Sequence, residues 1–454
     1  MNKLYIHTYG CQMNQYDSER IAQVMRRGGY VQTDCINDAD LILLNTCSVR
    51  EKSEQKVYSI LGRWKEFKQR SDDVIIGVGG CVAQQEGERL LRKITHLDLV
   101  FGTHNIHKLP DMVNQVRTLR QRPVETAFYR DSEYMEDPDG RTQVQGAKAY
   151  VTVMQGCNKV CSFCIVPHVR GREVSRPSAK IVAEIESLVR QGVREVMLLG
   201  QNVNSYGKMS PGEISFAQLL RRVDSIEGLE RIRFTTSHPQ DLSPELMDAF
   251  ATLDKLCKHL HLPVQSGSDS VLTRMRRGYT RAQYLDRLHR LGARCSGMAL
   301  STDIIVGFPG ETEEEFSDTL ELLRQVGYDE IYSFIYSPRP QTVSGKIFED
   351  DVPNEIKKDR LARVQSLQRE ISLTKNRERI GSLEEILVEG SSKLKNGQIM
   401  GRTDTNRIVN VNGPEALIGQ FVPVRITGAT ATSLVGELLL ERYVSSSHAQ
   451  GEMA

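Results

Sequence analysis

Three cysteines stand at C-x3-C-x2-C in the stretch "CNKVCSFC": Cys157, Cys161 and Cys164, with no fourth cysteine nearby. Thiolates at such spacing suit a metal centre, because they are soft ligands and one short loop brings three of them together. A closed structural zinc site needs four ligands, and no partner pair follows. An iron–sulfur cluster takes cysteine thiolates and can leave one iron without a protein ligand, open to another molecule. Three buried structural cysteines are the plainer alternative.

A second set is scattered. Cys11, Cys47 and Cys81 lie more than thirty residues apart, yet each ends an apolar run: "YIHTYGC", "LILLNTC" and "VIIGVGGC". If these runs are strands of one parallel sheet, their C-terminal ends converge on one crevice and the three thiols can meet there. A cysteine nucleophile would need a partner histidine, and the sequence singles none out. Three ligands again imply a cluster with one free iron. Cys35, Cys257 and Cys295 lie in or beside apolar segments without company and read as structural.

The elements that must position these thiols follow from the pattern, which is α/β. Over residues 1–118, short apolar runs alternate with helical patterns that start near Asn14, pass through Lys56 and Trp64, and start again near Gln84. This predicts an N-terminal doubly wound parallel sheet. Residues 119–145 are polar, end in Pro-Asp-Gly and read as a linker. Over 146–380, "AYVTVMQ", "EVMLLGQNV", "RIRFTTS", "HLHLPVQ", "ALSTDIIVGF" and "EIYSFIYS" are strand candidates, each followed by a helical pattern. Six such units predict a central partial (β/α)6 barrel, closed by a charged helix from about Asn354 to Arg379. The Cys157 loop then lies at the C-terminal mouth of the first strand, where barrels place their chemistry. Residues 381–445 alternate in short strands with turns such as "KNG" and predict a C-terminal small β-barrel.

Composition bounds the rest. At 454 residues, 39% hydrophobic and 26% charged, the chain can bury two or three cores. A net charge of +1 excludes a cationic field over the whole molecule, so any polyanion site must be local. No run approaches 18 apolar residues, and "MNKLYIHTYG" reads as a strand rather than a signal segment. A cytoplasmic location without membrane contact is therefore expected, where nine cysteines point to metal ligands rather than disulfides.

The C-x3-C-x2-C loop with Phe163 just before its last cysteine resembles the radical S-adenosylmethionine superfamily. There the open iron is chelated by S-adenosylmethionine, whose reductive cleavage supplies a 5′-deoxyadenosyl radical. The two cysteine sets and the C-terminal barrel together resemble the methylthiotransferases, with an N-terminal methylthiotransferase domain, a radical S-adenosylmethionine domain and a TRAM domain. The stretches "TYGCQMNQYDSERI" and "NTCSVREKSEQKV" are similar to the MiaB type, which acts on isopentenyladenosine beside the anticodon of tRNA. The resemblance implies two [4Fe-4S] clusters, one on Cys11, Cys47 and Cys81 and one on Cys157, Cys161 and Cys164. It implies two S-adenosylmethionine molecules per turnover, one giving the methyl group and one the radical that removes the adenine C2 hydrogen. It also implies a tRNA anticodon stem-loop as substrate, a reducing partner such as flavodoxin or ferredoxin, and a monomer. The competing readings are the branch that modifies threonylcarbamoyladenosine and a non-catalytic iron–sulfur RNA-binding protein.

Supporting residues follow from the same resemblance. Gly200, Gln201 and Asn202 occupy the place of the superfamily's glycine-rich methionine-binding stretch, here without its acidic residue. Val306 and Gly307 in "DIIVGFPGET" match a strand that lies along the adenine, although the stretch also reads as a strand, a Pro-Gly turn and a helix capped by Thr312. Arg170, Arg172 and Arg176 in "HVRGREVSRP" follow the cluster loop directly and are expected on RNA phosphates. The seven arginines of residues 271–294 read mostly as solvated helix faces.

Overall fold

The structure is a computed structural model and describes residues 1–48, 52–136, 146–392 and 397–439. Strands Asn2–Thr8, Tyr30–Gln32, Leu41–Thr46, Ile75–Gly80, Leu99–Phe101 and Val124–Glu125 form one all-parallel sheet, in the order second, first, third, fourth, fifth, sixth. Every residue of Leu41–Thr46 and Ile75–Gly80 is buried, which is what helices on both faces impose on central parallel strands. One face packs Val57, Trp64 and Phe67, and the other packs Ile21, Met25 and Met112. The sheet is doubly wound, as expected.

The expected linker starts differently. Val100 pairs with Val124, so residues 124–125 complete the N-terminal sheet, and Tyr134 is buried against His104 in a stack at 4.1 Å. An apolar residue at the sheet edge and an aromatic ring decide this against the polar surroundings. The Pro-Asp-Gly end of that segment lies outside the described residues.

The central unit has six parallel strands in two three-stranded parts: Lys148–Thr152, Glu195–Leu199 and Arg231–Phe234, then His259–His261, Ala299–Val306 and Glu330–Ile335. A bridge between Ile232 and Leu256 connects them, giving the open six-unit barrel. Helix Glu313–Val326 shows how sharply local chemistry bounds its elements: Thr312 and Glu315 form a capping box, and Gly327 ends it in the left-handed conformation. The charged helix Asn354–Arg377 buries Val364 and Gln368 beside the last strand, where Gln368 donates to Tyr328 O at 2.8 Å.

Strands Leu383–Ser391, Gln398–Thr403, Ile408–Asn412, Phe421–Ala429 and Leu434–Leu438 close into a barrel around Ile386, Val409, Val424 and Leu434. Of the expected "KNG" turn, Lys395 and Asn396 lie outside the described residues. Two buried arginines dock this barrel on the central unit. Arg231 Nη1 donates to Arg402 O at 2.9 Å, and Arg233 Nη2 donates to Thr403 O at 2.6 Å. No helix of the described residues is long and apolar enough to cross a membrane.

Candidate metal centres and their cavity

The first strand of the open barrel delivers the chain to Gly156, whose φ is +80° and whose added Cβ would stand 2.0 Å from Arg172 O. Only glycine lets the outgoing and returning arms of the cysteine loop approach this closely. The loop is then pinned from outside: Ser162 N donates to Met275 O at 2.9 Å and its hydroxyl to Arg274 O at 2.8 Å. Arg277, unremarked by the sequence pattern, is buried and donates through Nη1 to Cys161 Sγ at 3.2 Å. Its other nitrogens are engaged as well, Nη2 with Pro263 O at 2.7 Å and Nε with Tyr279 Oη at 3.0 Å. Burial pushes the Cys157 thiol up to about 11 and raises that of Cys164 as well. These thiols are protonated at neutral pH and would release protons on meeting a metal.

Around the mouth, side chains at successive strand ends carry buried polar atoms without partners among the described residues. They are Gln155 Nε2, Glu173 Oε1, Gln201 Nε2, Asn202 Oδ1, Ser237 Oγ, His238 Nε2 and Gln265 Oε1. Burying such atoms unpaired is costly, so a row of them marks a place built for a polar ligand. Thr236 and Gln265 on the same rim hold positive φ of 66° and 78°, strain of the kind that gathers at binding sites. Gln201 reaches back to accept from Gly156 N, and Asn202 Nδ2 donates to Asp241 at 2.8 Å. Asp241 also pairs with Lys159 of the cysteine loop at 2.9 Å. Although burial works against its charge, hydrogen bonds from Asn202, Lys208 and Lys159 hold its carboxyl down to about 2. Glu173 is an acid outside the 200–202 stretch that reaches Ser205 just beyond it. Ser205 donates to one of its oxygens at 2.7 Å, the other is free, and burial raises its pKa.

A cavity of about 520 Å³ opens beside these groups. Its wall runs from Phe163 and Cys164 over Asp303, Ile305 and Tyr336 to Tyr9 and Lys56 of the N-terminal unit. Val306 and Gly307 were expected here and are not in that wall. Strand alternation turns Asp303 and Ile305 outward and buries Val306 in the main core. At Gly307, with φ +69°, an added Cβ would meet Lys357 Cγ at 2.3 Å, so the glycine accommodates the closing helix.

The N-terminal thiols gather as the strand-end argument requires. Gly80 precedes Cys81 with φ +88°, and a Cβ there would stand 2.3 Å from Thr46 O. A Cβ on Gly10 would stand 2.7 Å from Cys47 Cβ, which shows how near the first two loops run. Asn14 ties them, donating to Asn45 Oδ1 at 3.1 Å and Thr46 O at 2.8 Å while accepting from Cys11 Sγ at 3.4 Å. A hydrogen bond with Cys47, helped by the charge of Arg170, holds the Cys11 thiol below its ordinary value, whereas burial raises Cys81. Cys81 shares an apolar contact cluster with Ile165 and Val169, residues that follow Cys164 directly. Of the remaining cysteines, Cys257 and Cys295 are buried and Cys35 is exposed.

The three arginines expected on RNA part company. Arg172 is exposed. Arg170 and Arg176 are 3% exposed and internally engaged, which removes them from that role. Arg170 Nη2 pairs with Asp17 at 2.7 Å, and Arg176 pairs with Glu136 at 2.9 Å and Glu184 at 2.7 Å. A charge buried this deeply needs its carboxylate partners, and the acids lie too far away in sequence for the motif to reveal them. Most of the 271–294 arginines are paired too: Arg274 with Glu315, Arg281 with Glu321 and Arg294 with Asp248.

Among the described residues no three His, Cys, Asp or Glu side chains close on a point fit for a single metal ion. A polynuclear cluster makes a different demand, one thiolate for each iron at separate corners. Two sets of three neighbouring thiols, the central one beside a row of unpaired polar atoms, fit iron–sulfur clusters and an S-adenosylmethionine ligand.

Residues 3–102 match the model of Uncharacterized protein family UPF0004, residues 151–323 the Radical SAM superfamily and residues 377–439 the TRAM domain. Over 437 residues the chain is 53% identical to a tRNA-2-methylthio-N(6)-dimethylallyladenosine synthase of Syntrophotalea carbinolica, covering 96% of this chain and 100% of the relative. The chain belongs to that synthase family. A synthase of Geobacter metallireducens is likewise 53% identical, over 96% of this chain and 98% of its own length. In the fold, the chain is similar to a radical S-adenosylmethionine methyltransferase, TsrM, from Kitasatospora setae, solved with cobalamin and a [4Fe-4S] cluster. That likeness has a TM-score of 0.56 at 15% identity, over 76% of this chain and 77% of the other. The chain is thus a radical S-adenosylmethionine enzyme that carries an iron–sulfur cluster.

Proposed function

We propose that the chain methylthiolates C2 of N6-isopentenyladenosine next to the anticodon of tRNA, with [4Fe-4S] clusters on both cysteine sets. The observation that carries this reading is the shared cavity. Cys164 lines it, and so does Tyr9, two residues before Cys11. A base held there would lie against Cys164 and near the strand end that leads to Cys11, as a reaction that removes hydrogen at one centre and delivers sulfur from another requires.

When bound, the central cluster and S-adenosylmethionine supply an organic radical able to take hydrogen from carbon. The chain's own residues do the holding. Phe163, Gly200, Gln201, Asn202 and Glu173 border the methionine end, with the free Glu173 oxygen and Asn202 Oδ1 as acceptors for its amino group. Asp303 and Ile305 border the nucleoside end. Arg277 fixes Cys161 and keeps a positive charge beside an anionic cluster. For RNA, the exposed Arg172 and, in a cavity of about 430 Å³ beside the C-terminal barrel, Arg369 and Tyr332 offer phosphate and stacking contacts. The three units expected at 1–118, 146–380 and 381–445 work together, the sheet of the first being completed by residues 124–125 of the expected 119–145 link. The anticodon stem-loop is the substrate, flavodoxin or ferredoxin the reductant, and the working form a cytoplasmic monomer.

The test is to incubate Cys161→Ala and Cys47→Ala with dithionite, S-adenosylmethionine and isopentenylated tRNA, then quantify 5′-deoxyadenosine and the 2-methylthio nucleoside together. Cys161→Ala should make neither. Cys47→Ala should still make 5′-deoxyadenosine but no methylthio product. Methylthio product from Cys47→Ala would refute the role of the N-terminal set.

A further inference from the structure

After Met1, the most exposed large apolar side chains among the described residues are Val160, at 68%, and Met209, at 63%. One carboxylate ties their surroundings together. Lys159 and Lys208, each next in the chain to one of them, pair with Asp241 at 2.9 and 2.6 Å. Lys159 Nζ also donates to Gln240 Oε1 at 3.1 Å, and Gln240 Nε2 donates to Gly278 O at 2.7 Å, which brings the 276–278 turn alongside. In that turn Arg276 holds φ +55°, the left-handed place after helix Asp269–Arg274 where chains usually put glycine. It is exposed, and its guanidinium has no partner among the described residues.

The patch borders Cys161 from two sides. Val160 precedes that cysteine in the chain, and Arg277, next to Arg276, donates to its sulfur at 3.2 Å. Three cations, Lys159, Lys208 and Arg276, stand around the apolar pair, while the nearby acids are set back, Asp241 buried and Glu173 half-buried. Aliphatic side chains give a base no ring to stack on, which turns the patch away from RNA, and methionine suits an adaptable protein contact. An apolar centre with a cationic rim complements an acidic protein face. Neither Val160, Met209 nor Arg276 lines the cavity that Cys164 borders, so an occupant here leaves that cavity open to tRNA. We propose that this patch docks the protein that reduces the central cluster, a small acidic carrier of one electron. One electron leaves the carrier, oxidising it by one step, and reduces the central cluster by one; no bond or proton moves. The inference rests on the reading that Cys157, Cys161 and Cys164 hold that cluster, and adds where its reductant sits.

The test compares electron sources in the full-length, anaerobically reconstituted protein. Formation of 5′-deoxyadenosine from S-adenosylmethionine with isopentenylated tRNA is driven in turn by reduced flavodoxin, by reduced ferredoxin and by dithionite, which is small and needs no docking face. Met209→Glu combined with Arg276→Asp makes the patch negative without touching the cysteine loop, and aspartate tolerates the left-handed turn. The KM for the better carrier should rise about tenfold and depend less on salt, while the dithionite rate stays the same. Val160→Ser should raise that KM by about threefold. An unchanged KM for both carriers in the double variant overturns the inference, as does intact protein that neither carrier reduces. If the double variant loses its dithionite rate, an unchanged carrier KM in Val160→Ser overturns it instead. A raised KM for tRNA under dithionite assigns the patch to RNA and overturns it too. Dithionite-driven 5′-deoxyadenosine from protein with Cys157, Cys161 and Cys164 changed to Ala overturns the reading of the central set, and this inference with it.

Discussion

The central and N-terminal thiol sets reach similar ends by opposite routes. Cys157, Cys161 and Cys164 share one eight-residue loop, shaped by Gly156 and pinned by Ser162 and Arg277. Cys11, Cys47 and Cys81 share no local sequence and are brought together by the order of a parallel sheet, with Asn14 and Asn45 tying the strand ends. A local site is encoded by spacing and a dispersed one by topology. The first should therefore survive damage elsewhere, whereas the second depends on the whole sheet.

Glycine substitutions break this comparison most sharply. Gly156→Ala forces a Cβ onto Arg172 O, and Gly80→Ala forces one onto Thr46 O. Each sits at positive φ against backbone that cannot move aside, a local cost of about 3 kcal/mol or more. Gly156→Ala should abolish 5′-deoxyadenosine formation. Gly80→Ala should abolish only the methylthio product, so loss of 5′-deoxyadenosine in Gly80→Ala would show that the sites are not separable.

A smaller effect sharpens the central side alone. Glu173→Ala removes the free acceptor at the mouth and should raise the KM for S-adenosylmethionine by about tenfold, leaving the KM for tRNA unchanged. An unchanged KM for S-adenosylmethionine would take Glu173 out of the site.

The smallest effect separates the two regions by pH. Burial lowers His104 in the N-terminal unit to about 4 and His238 in the central unit to about 2. Each is neutral when folded and takes up a proton on unfolding below its ordinary 6.5. Their stabilisation is full above that value and is lost as pH falls toward the folded value, at about 1.4 kcal/mol per pH unit for each. Denaturant midpoints between pH 7 and 5 should fall less steeply in His104→Asn and in His238→Asn. An unchanged slope would mean the ring is not held neutral.

Much of this was legible in the sequence. The cysteine loop announced itself through spacing, and the six central strands and five barrel strands through apolar runs. The N-terminal set was legible only after the runs were read as strands, because its meaning lies in equivalent strand ends. What stayed hidden depends on side-chain direction and on partners far along the chain. Val306 and Ile305 are equally apolar, and nothing in the run "DIIV" says which one meets the cavity. Arg170 and Arg172 look alike in "HVRGRE", yet Asp17, 153 residues away, draws one inward and leaves the other in solvent. Arg277 sits in an arginine-rich stretch whose other members are mostly ordinary surface pairs.

The central claim is that two separate places hold iron, and metal analysis tests it most directly. Anaerobically reconstituted protein should carry about eight irons, and replacing either Cys11, Cys47 and Cys81 or Cys157, Cys161 and Cys164 by Ala should leave about four. Loss of all iron from one triple variant, or of none, would contradict the account.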